Sequence, residues 1–483
     1  MENKTALVFF STLILSCFTA QSSAIFCFKK HKLMRNTNKS LFNASKFVID
    51  ATKLAYSQEG LKEKDKINIL PGQPKITFNQ YGGYVTVDQK AGRALYYYFV
   101  EAQHSAQTSP LVLWFNGGPG CSSLAFGAMQ ELGPFRVKSD GKTLFLNEYA
   151  WNKVANVLFL ESPAGVGFSY SKTKVDYTSG GDIKTANDNY VFLVNWLERF
   201  PQYKNRDFYI AGESYAGHFV PELAHIILNH NKTNMLTFKF KGIIIGNALI
   251  NDETDNIGHW KYLANHALIT DEFANRAIND CASTTTSPTS QCRKAYDEYS
   301  KLAGNIDMYN IYAPICLSTS DTDTKPKITS IFNPDPCSAN YVYVYMNRAD
   351  VQKALHANVT KDIPYDWDTC SNVLKNWTDS PVTVLPLLKE FMNHGLRVWF
   401  GDVDGRLPFT STQLSIKEMK LDIQSQWCPW YLNKEVGGYT QEYKGGLTFA
   451  TVRGAGHEVP TYQPERALVL IQHFVNGEKL PVS

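Results

Sequence analysis

Four times in this chain a short run of β-branched and aromatic residues stops at glycine: "PLVLWFNGG" (110–118), "NVLFLESPAG" (156–165), "FYIAGES" (208–214) and "FKGIIIGNALI" (240–250). Unbroken apolar runs of this length, bounded by turn residues, fit strands buried on both faces. Between two of them, "DNYVFLVNWLERF" (188–200) has helical spacing. Strands alternating with helices predict an α/β protein with a mostly parallel central sheet covered by helices. Functional groups in such sheets gather at the carboxyl ends of the strands, so the glycine-bearing ends are where to look.

The rhythm divides the chain. "LPGQP" (70–74) marks the way into the fold, and "GGYVTV" and "ALYYYFVEA" read as further strands. From about 251 to 344 the pattern breaks into polar stretches, "ASTTTSPTS" (282–290) and "STSDTDTKPKITS" (318–330), with four cysteines nearby. This predicts an inserted cap stapled by local disulfides. "RVWFGDVDGRLP" and "LTFATVRGAGHEVP" then resume the strand-and-turn form. The expected organisation is a core of 70–250 and 345–483 around a cap of 251–344.

With 483 residues, 44% of them hydrophobic, the chain has ample material for a large core. A net charge of +3 is too mild to point to nucleic acid as a partner. The opening "MENKTALVFFSTLILSCFTAQSSA" resembles a secretory signal cut after Ala24. Its apolar run is shorter than the roughly 20 residues a membrane span needs, so no membrane attachment is expected after cleavage. Residues 25–69 are basic and read as an extension or propeptide. Eight cysteines follow Cys17, none with CxxC or zinc spacing, which favours disulfides over a metal. Acceptor sites for N-glycans occur at Asn38, Asn43, Asn231, Asn358 and Asn376. Together these predict the secretory pathway, with the cell exterior or the vacuole as destination.

Ser214 sits where a strand turns into a helix, between small residues that allow a sharp bend, in the manner of a nucleophile elbow. A serine needs a base, and in this kind of sheet the order is serine, acid, histidine. His457, on a glycine-rich turn after a strand, is the best placed of eleven histidines; His218 would sit in the helix after the elbow and pack. "GDVDGRLP" offers Asp402 and Asp404, of which Asp404 is the chosen acid and Asp402 a turn carboxylate. The amide of Tyr215 and the glycines of "NGGPGCSS" (116–123) can supply an oxyanion hole.

These segments resemble the serine carboxypeptidases, particularly those of plants. "LVLWFNGGPGCSSLAFGAMQELGPFRV", "ESPAGVGFSYS", "FYIAGESYAGHFVPELA", "ADVQKALHAN", "PWYLNKEVGGYT" and "LTFATVRGAGHEVP" match in order over roughly residues 70 to 480. The resemblance implies an α/β-hydrolase fold with an inserted cap and an exopeptidase acting on the C-termini of peptides or proteins. It implies Ser214, Asp404 and His457 as triad, and the amides of Gly118 and Tyr215 as oxyanion hole. Asn116, Gly117, Glu213 and Glu131 would hold the substrate's terminal carboxylate, with Glu213 protonated in acid solution. No metal or organic cofactor is implied. Disulfides Cys121–Cys370, Cys281–Cys292 and Cys316–Cys337 are implied too, leaving Cys27 and Cys428. The stretch between "RVW" and "GD" is shorter here than is usual in the family, which must pull the Asp404 turn inward or be absorbed upstream.

Two alternatives stand beside the peptidase. One is an acyltransferase of the same plant family that uses acyl-glucose esters; there the pair at Asn116 and Glu213 is commonly threonine and aspartate. The other is an inactive homologue that binds through the cap cleft. A homodimer is compatible with either reading.

Overall fold

The computed structural model describes residues 34–35, 55–232, 238–282, 289–317, 322, 334–357, 363, 365–392 and 396–482. At its centre lies a twelve-stranded sheet. Its strands include β1 (Lys66–Ile67), β2 (Gln80–Asp88), β3 (Arg93–Val100), β4 (Leu111–Phe115), β5 (Asn156–Leu160) and β6 (Phe208–Glu213). Then come β7 (Phe240–Gly246), β8 (Leu396–Gly401), β9 (Ile423–Leu432), β10 (Glu435–Tyr443) and β11 (Leu447–Val452). Across the sheet the order is β9–β10–β11–β8–β7–β6–β4–β5–β3–β2–β1, with Tyr170–Ser171 pairing β3 off this path.

The six neighbours from β11 to β5 all pair in parallel. Both margins are antiparallel. The expected parallel sheet is therefore the centre of a mixed one. Parallel neighbours need long crossovers, while β9–β10, β10–β11 and β2–β3 are joined by short connections. The β9–β10 hairpin turns at Asn433 and Lys434, whose φ values of 52° and 66° suit a two-residue loop.

Of the central strands, β4, β5, β6, β7 and β11 each feed both layers. Leu111, Leu113 and Phe115 of β4 join the apolar cluster on one face, Val112 and Trp114 the cluster on the other. Helices α1 (Asp182–Arg199) and α2 (Ala216–Lys232) cover the first face. Residues of Ser338–Met346 and Pro464–Val475 pack on the second. This two-sided burial is why the strand sequences lack polar alternation.

Chain that the sequence assigns to the basic extension is part of the packed structure from residue 56. Tyr56 N donates to Asn195 Oδ1 at 2.7 Å, and buried Asp65 accepts from Tyr97 Oη at 2.6 Å and pairs with Arg199 at 2.5 Å. The signal stretch, most of the extension, Cys27, Asn38, Asn43 and Asn358 lie outside the described residues. Asn376 is exposed, whereas part-buried Asn231 uses its amide on Phe238, donating to its carbonyl and accepting from its N–H, both at 2.9 Å.

In the inserted region α3 (Asp252–Asn265), α4 (Asp271–Cys281) and α5 (Ser290–Ala303) share a separate apolar cluster around Trp260, Phe273 and Tyr299. Cys281–Cys292 joins α4 to α5, Cys316–Cys337 closes the end of the region, and Cys121–Cys370 ties the loop after β4 to a segment 249 residues on. Among the described residues Cys428 has no disulfide partner. Among the described residues no helix is long and apolar enough to cross a membrane.

Candidate active site

β6 runs buried to Glu213, and Ser214 then takes a φ of 62°, a left-handed conformation that a serine adopts only under constraint. The constraint is visible. Ser214 N donates to Gly246 O, and Ser214 O accepts from Gly217 N and Leu249 N, all at 3.0 Å. Gly212 lets the turn be sharp, since a Cβ there would lie 2.7 Å from Ala216 Cβ and from Phe115 O. α2 begins at Ala216, as the sequence suggests. Gly117 brings the neighbouring loop against this elbow: a Cβ on it would sit 2.3 Å from Tyr215 N and 2.8 Å from Ser214 Cβ.

Asp404 and His457 meet at the ends of β8 and β11, with Asp404 Oδ2 2.7 Å from His457 Nδ1. Both are buried, Asp404 completely. Asp404 Oδ1 accepts from Arg406 N at 2.7 Å and Leu407 N at 3.1 Å, which orients the carboxylate. The short stretch before the acid does not move it out of reach, because β8 pairs in register with both β7 and β11. Asp402 caps the adjoining turn, accepting from Gly454 N at 2.6 Å.

A segment of the inserted region straps both turns. Tyr309 O accepts from His457 N at 2.6 Å, Met308 O from Gly405 N at 3.1 Å, and Val403 O from Ile311 N at 3.1 Å. The Tyr309 ring lies 4.9 Å from the imidazole. No motif in the sequence announces this strap.

Beside the elbow, Asn116 Nδ2 donates to Glu131 Oε1 at 2.8 Å and Glu213 Oε1 at 2.9 Å. Asn116 Oδ1 is held in turn by Trp114 Nε1 at 2.7 Å and Gly127 N at 3.0 Å. Burial pushes the Glu131 carboxyl up to about 7. Burial, followed by the charge of Glu131, pushes Glu213 well above the usual range. A third acid went unnoticed in the sequence: Glu458, next to His457, is pushed up to about 8 by burial and then by Glu131. Its adjacency to the candidate base was the available signal. Acids this close and this dry share protons rather than ionise together.

His218 packs as expected, stacked on Tyr215 at 4.8 Å. With Asp182 and Glu222 it brings metal-ligating atoms within 4.8 Å of one another. Asp182, however, already accepts from Trp377 Nε1 at 2.8 Å and Tyr215 Oη at 3.1 Å and faces His218 Nδ1 at 3.3 Å. That chemistry is a hydrogen-bond network bracing the elbow from behind.

Ser214, Tyr215, Gly118, His457, Glu213 and Glu458 all line one cavity of about 1020 Å³ between the core and the inserted region. A serine raised on a strand-to-helix turn, with acid and imidazole delivered by later strands of the same sheet, is the plan of the α/β-hydrolase fold, and this chain follows it. Comparison with known proteins narrows the class. Residues 71–477 match the family described as Serine carboxypeptidase. Serine carboxypeptidase-like 40 of Arabidopsis thaliana is 59% identical over 432 residues, covering 88% of this chain and 85% of that one. Serine carboxypeptidase 24 of the same plant is 48% identical over 442 residues, covering 87% and 94%. The structure of Kex1(delta)p, a prohormone-processing carboxypeptidase from Saccharomyces cerevisiae, shares the fold with a TM-score of 0.72, at 24% identity over 86% of this chain and 96% of that one. The chain belongs to the serine carboxypeptidase family and is a serine-type carboxypeptidase hydrolase.

Proposed function

We propose that this enzyme releases C-terminal residues from peptides and proteins through an acyl-enzyme on Ser214, most efficiently in mildly acid solution. His457 takes the Ser214 proton as Oγ attacks the last peptide carbonyl. The amides of Gly118 and Tyr215 stabilise the oxyanion, and Asp404 stabilises the imidazolium. His457 then gives its proton to the departing amino group, and the C–N bond breaks. Water, deprotonated by the same imidazole, attacks the ester and frees the shortened peptide. Peptide or protein C-termini are the substrates, met in the secretory pathway, outside the cell or in the vacuole.

One observation carries this reading: Asn116 and Glu213, with buried Glu131 behind them, line the same cavity as Ser214 and His457, whose imidazole meets buried Asp404. A neutral carboxyl and an amide are donors suited to a free carboxylate, whereas ionised acids would repel it. An acyltransferase has no need of such a clamp. The deciding experiment compares release from free-ended and C-terminally amidated peptides, with Ser214→Ala as control. Preference for free ends is expected. Equal trimming of both would overturn the clamp, and activity in the Ser214 variant would overturn the nucleophile.

A further inference from the structure

The acid of the proposed triad is held by a residue outside the motifs that define it. Asn247 follows the last residue of β7, is completely buried, and has a φ of 40°. Its Nδ2 donates to Asp404 Oδ2 at 2.6 Å, the same oxygen that faces His457 Nδ1 at 2.7 Å. Its Oδ1 accepts from Gly401 N at 3.0 Å, where β8 ends and the acid turn begins. One amide therefore fixes both the origin of that turn and the oxygen that meets the imidazole.

We propose that Asn247 is a positioning residue for the triad, acting through Asp404 rather than on substrate. This rests on the triad reading given above. Two further observations support it. Its neighbours Gly246 and Leu249 hold the Ser214 backbone, so one four-residue segment clips the nucleophile turn and the acid turn together. A left-handed φ is readily accepted by glycine and asparagine but not by most side chains, and glycine has no amide to offer. Asparagine supplies the backbone shape, a donor for the carboxylate and an acceptor for Gly401 at once. Because β8 ends at Gly401 and the turn from there carries Asp404, this anchor sits where the acid's reach is decided.

The test separates the amide from the backbone. Asn247→Gly keeps the left-handed conformation accessible and removes only the amide. A carboxylate misplaced by an ångström should lower kcat about 100-fold while KM stays within about twofold. Asn247→Asp keeps the acceptor for Gly401 and sets a second carboxyl against Asp404. While the two share a proton, that carboxyl can donate as the amide did; once both ionise they repel. The other titratable groups facing Asp404 are His457 in contact and Asp307, His259, Tyr262 and Tyr462 around it, and all are unchanged in the variant. The kcat of Asn247→Asp should approach wild type in acid solution and fall as pH rises, over a range where wild-type kcat holds. A purely structural residue would not produce that profile, and this arm decides alone if Asn247→Gly does not fold. Ser214→Ala and Asp404→Ala run alongside. If either keeps wild-type kcat, the triad reading fails and takes this inference with it. If both are inactive while Asn247→Gly turns over normally, or while Asn247→Asp parallels wild type across pH, the assignment of Asn247 alone is overturned.

Discussion

Glutamine at position 213 should free peptide recognition from pH. In the wild-type enzyme the clamp holds two carboxyls, Glu131 pushed up to about 7 and Glu213 raised well above the usual range, and the proton they share makes a donor for the substrate's carboxylate. The pair titrates as a unit, and its first negative charge enters near 7, as Glu131 ionises. KM should therefore rise as pH climbs from about 5 through about 8 and charge enters the clamp, while kcat changes little. Glu213→Gln carries a permanent N–H donor at the same place. Its KM should stay within about twofold over that interval, since no proton remains to be lost from position 213. Initial rates on a blocked dipeptide across this range separate KM from kcat. The corresponding amidated substrate shows whether the change concerns the free carboxylate. A wild-type KM that is flat with pH, or a Glu213→Gln KM that climbs in parallel with it, would refute the shared-proton clamp.

Other consequences are as direct. Gly117→Ala should drive a methyl group into Tyr215 N and cost roughly 100-fold or more in kcat, read by turnover per labelled serine so that misfolded protein does not count. Glu161, completely buried with its carboxyl pushed up to about 7 by burial, should make the fold pH-sensitive. Its raised value means that the contribution is intact below the ordinary glutamate range and lost as pH climbs through about 7, roughly 3 kcal/mol in all. Denaturation midpoints of Glu161→Gln should therefore decline less over that window than those of wild type; parallel curves would contradict the assignment. Glycopeptide mass spectrometry of protein from a glycosylating host should find exposed Asn376, whose amide makes one bond, to Thr178 O, occupied more fully than part-buried Asn231, whose amide both donates to and accepts from Phe238.

How much of this could be read beforehand follows from what is local. The strand-to-glycine rhythm located β4, β5, β6 and β7, and with them the loops that carry Asn116, Gly117 and Ser214. Their uniform burial leaves a signal in every residue. The turns of Asp404 and His457 were found because each sits at the end of such a strand, and the disulfide pairs because the chain resembles its family. The antiparallel margins were harder, since which strand lies beside which is decided by packing between distant segments. Asn247 and Glu458 escaped for a different reason. A buried amide and a buried acid look ordinary in sequence, and only the approach of β7 to β8, or of Glu458 to Glu131, gives them a chemical setting. The strap through Met308, Tyr309 and Ile311 works through main-chain groups, which every residue carries alike.

That strap sets a rule for anyone exchanging lids between relatives. A graft that takes the helices but leaves Met308 to Ile311 behind would strip the acid and imidazole turns of their main-chain partners along with altering selectivity. Chimeras that carry the tetrapeptide with its native lid should retain turnover, and those cut inside it should lose turnover whatever they bind.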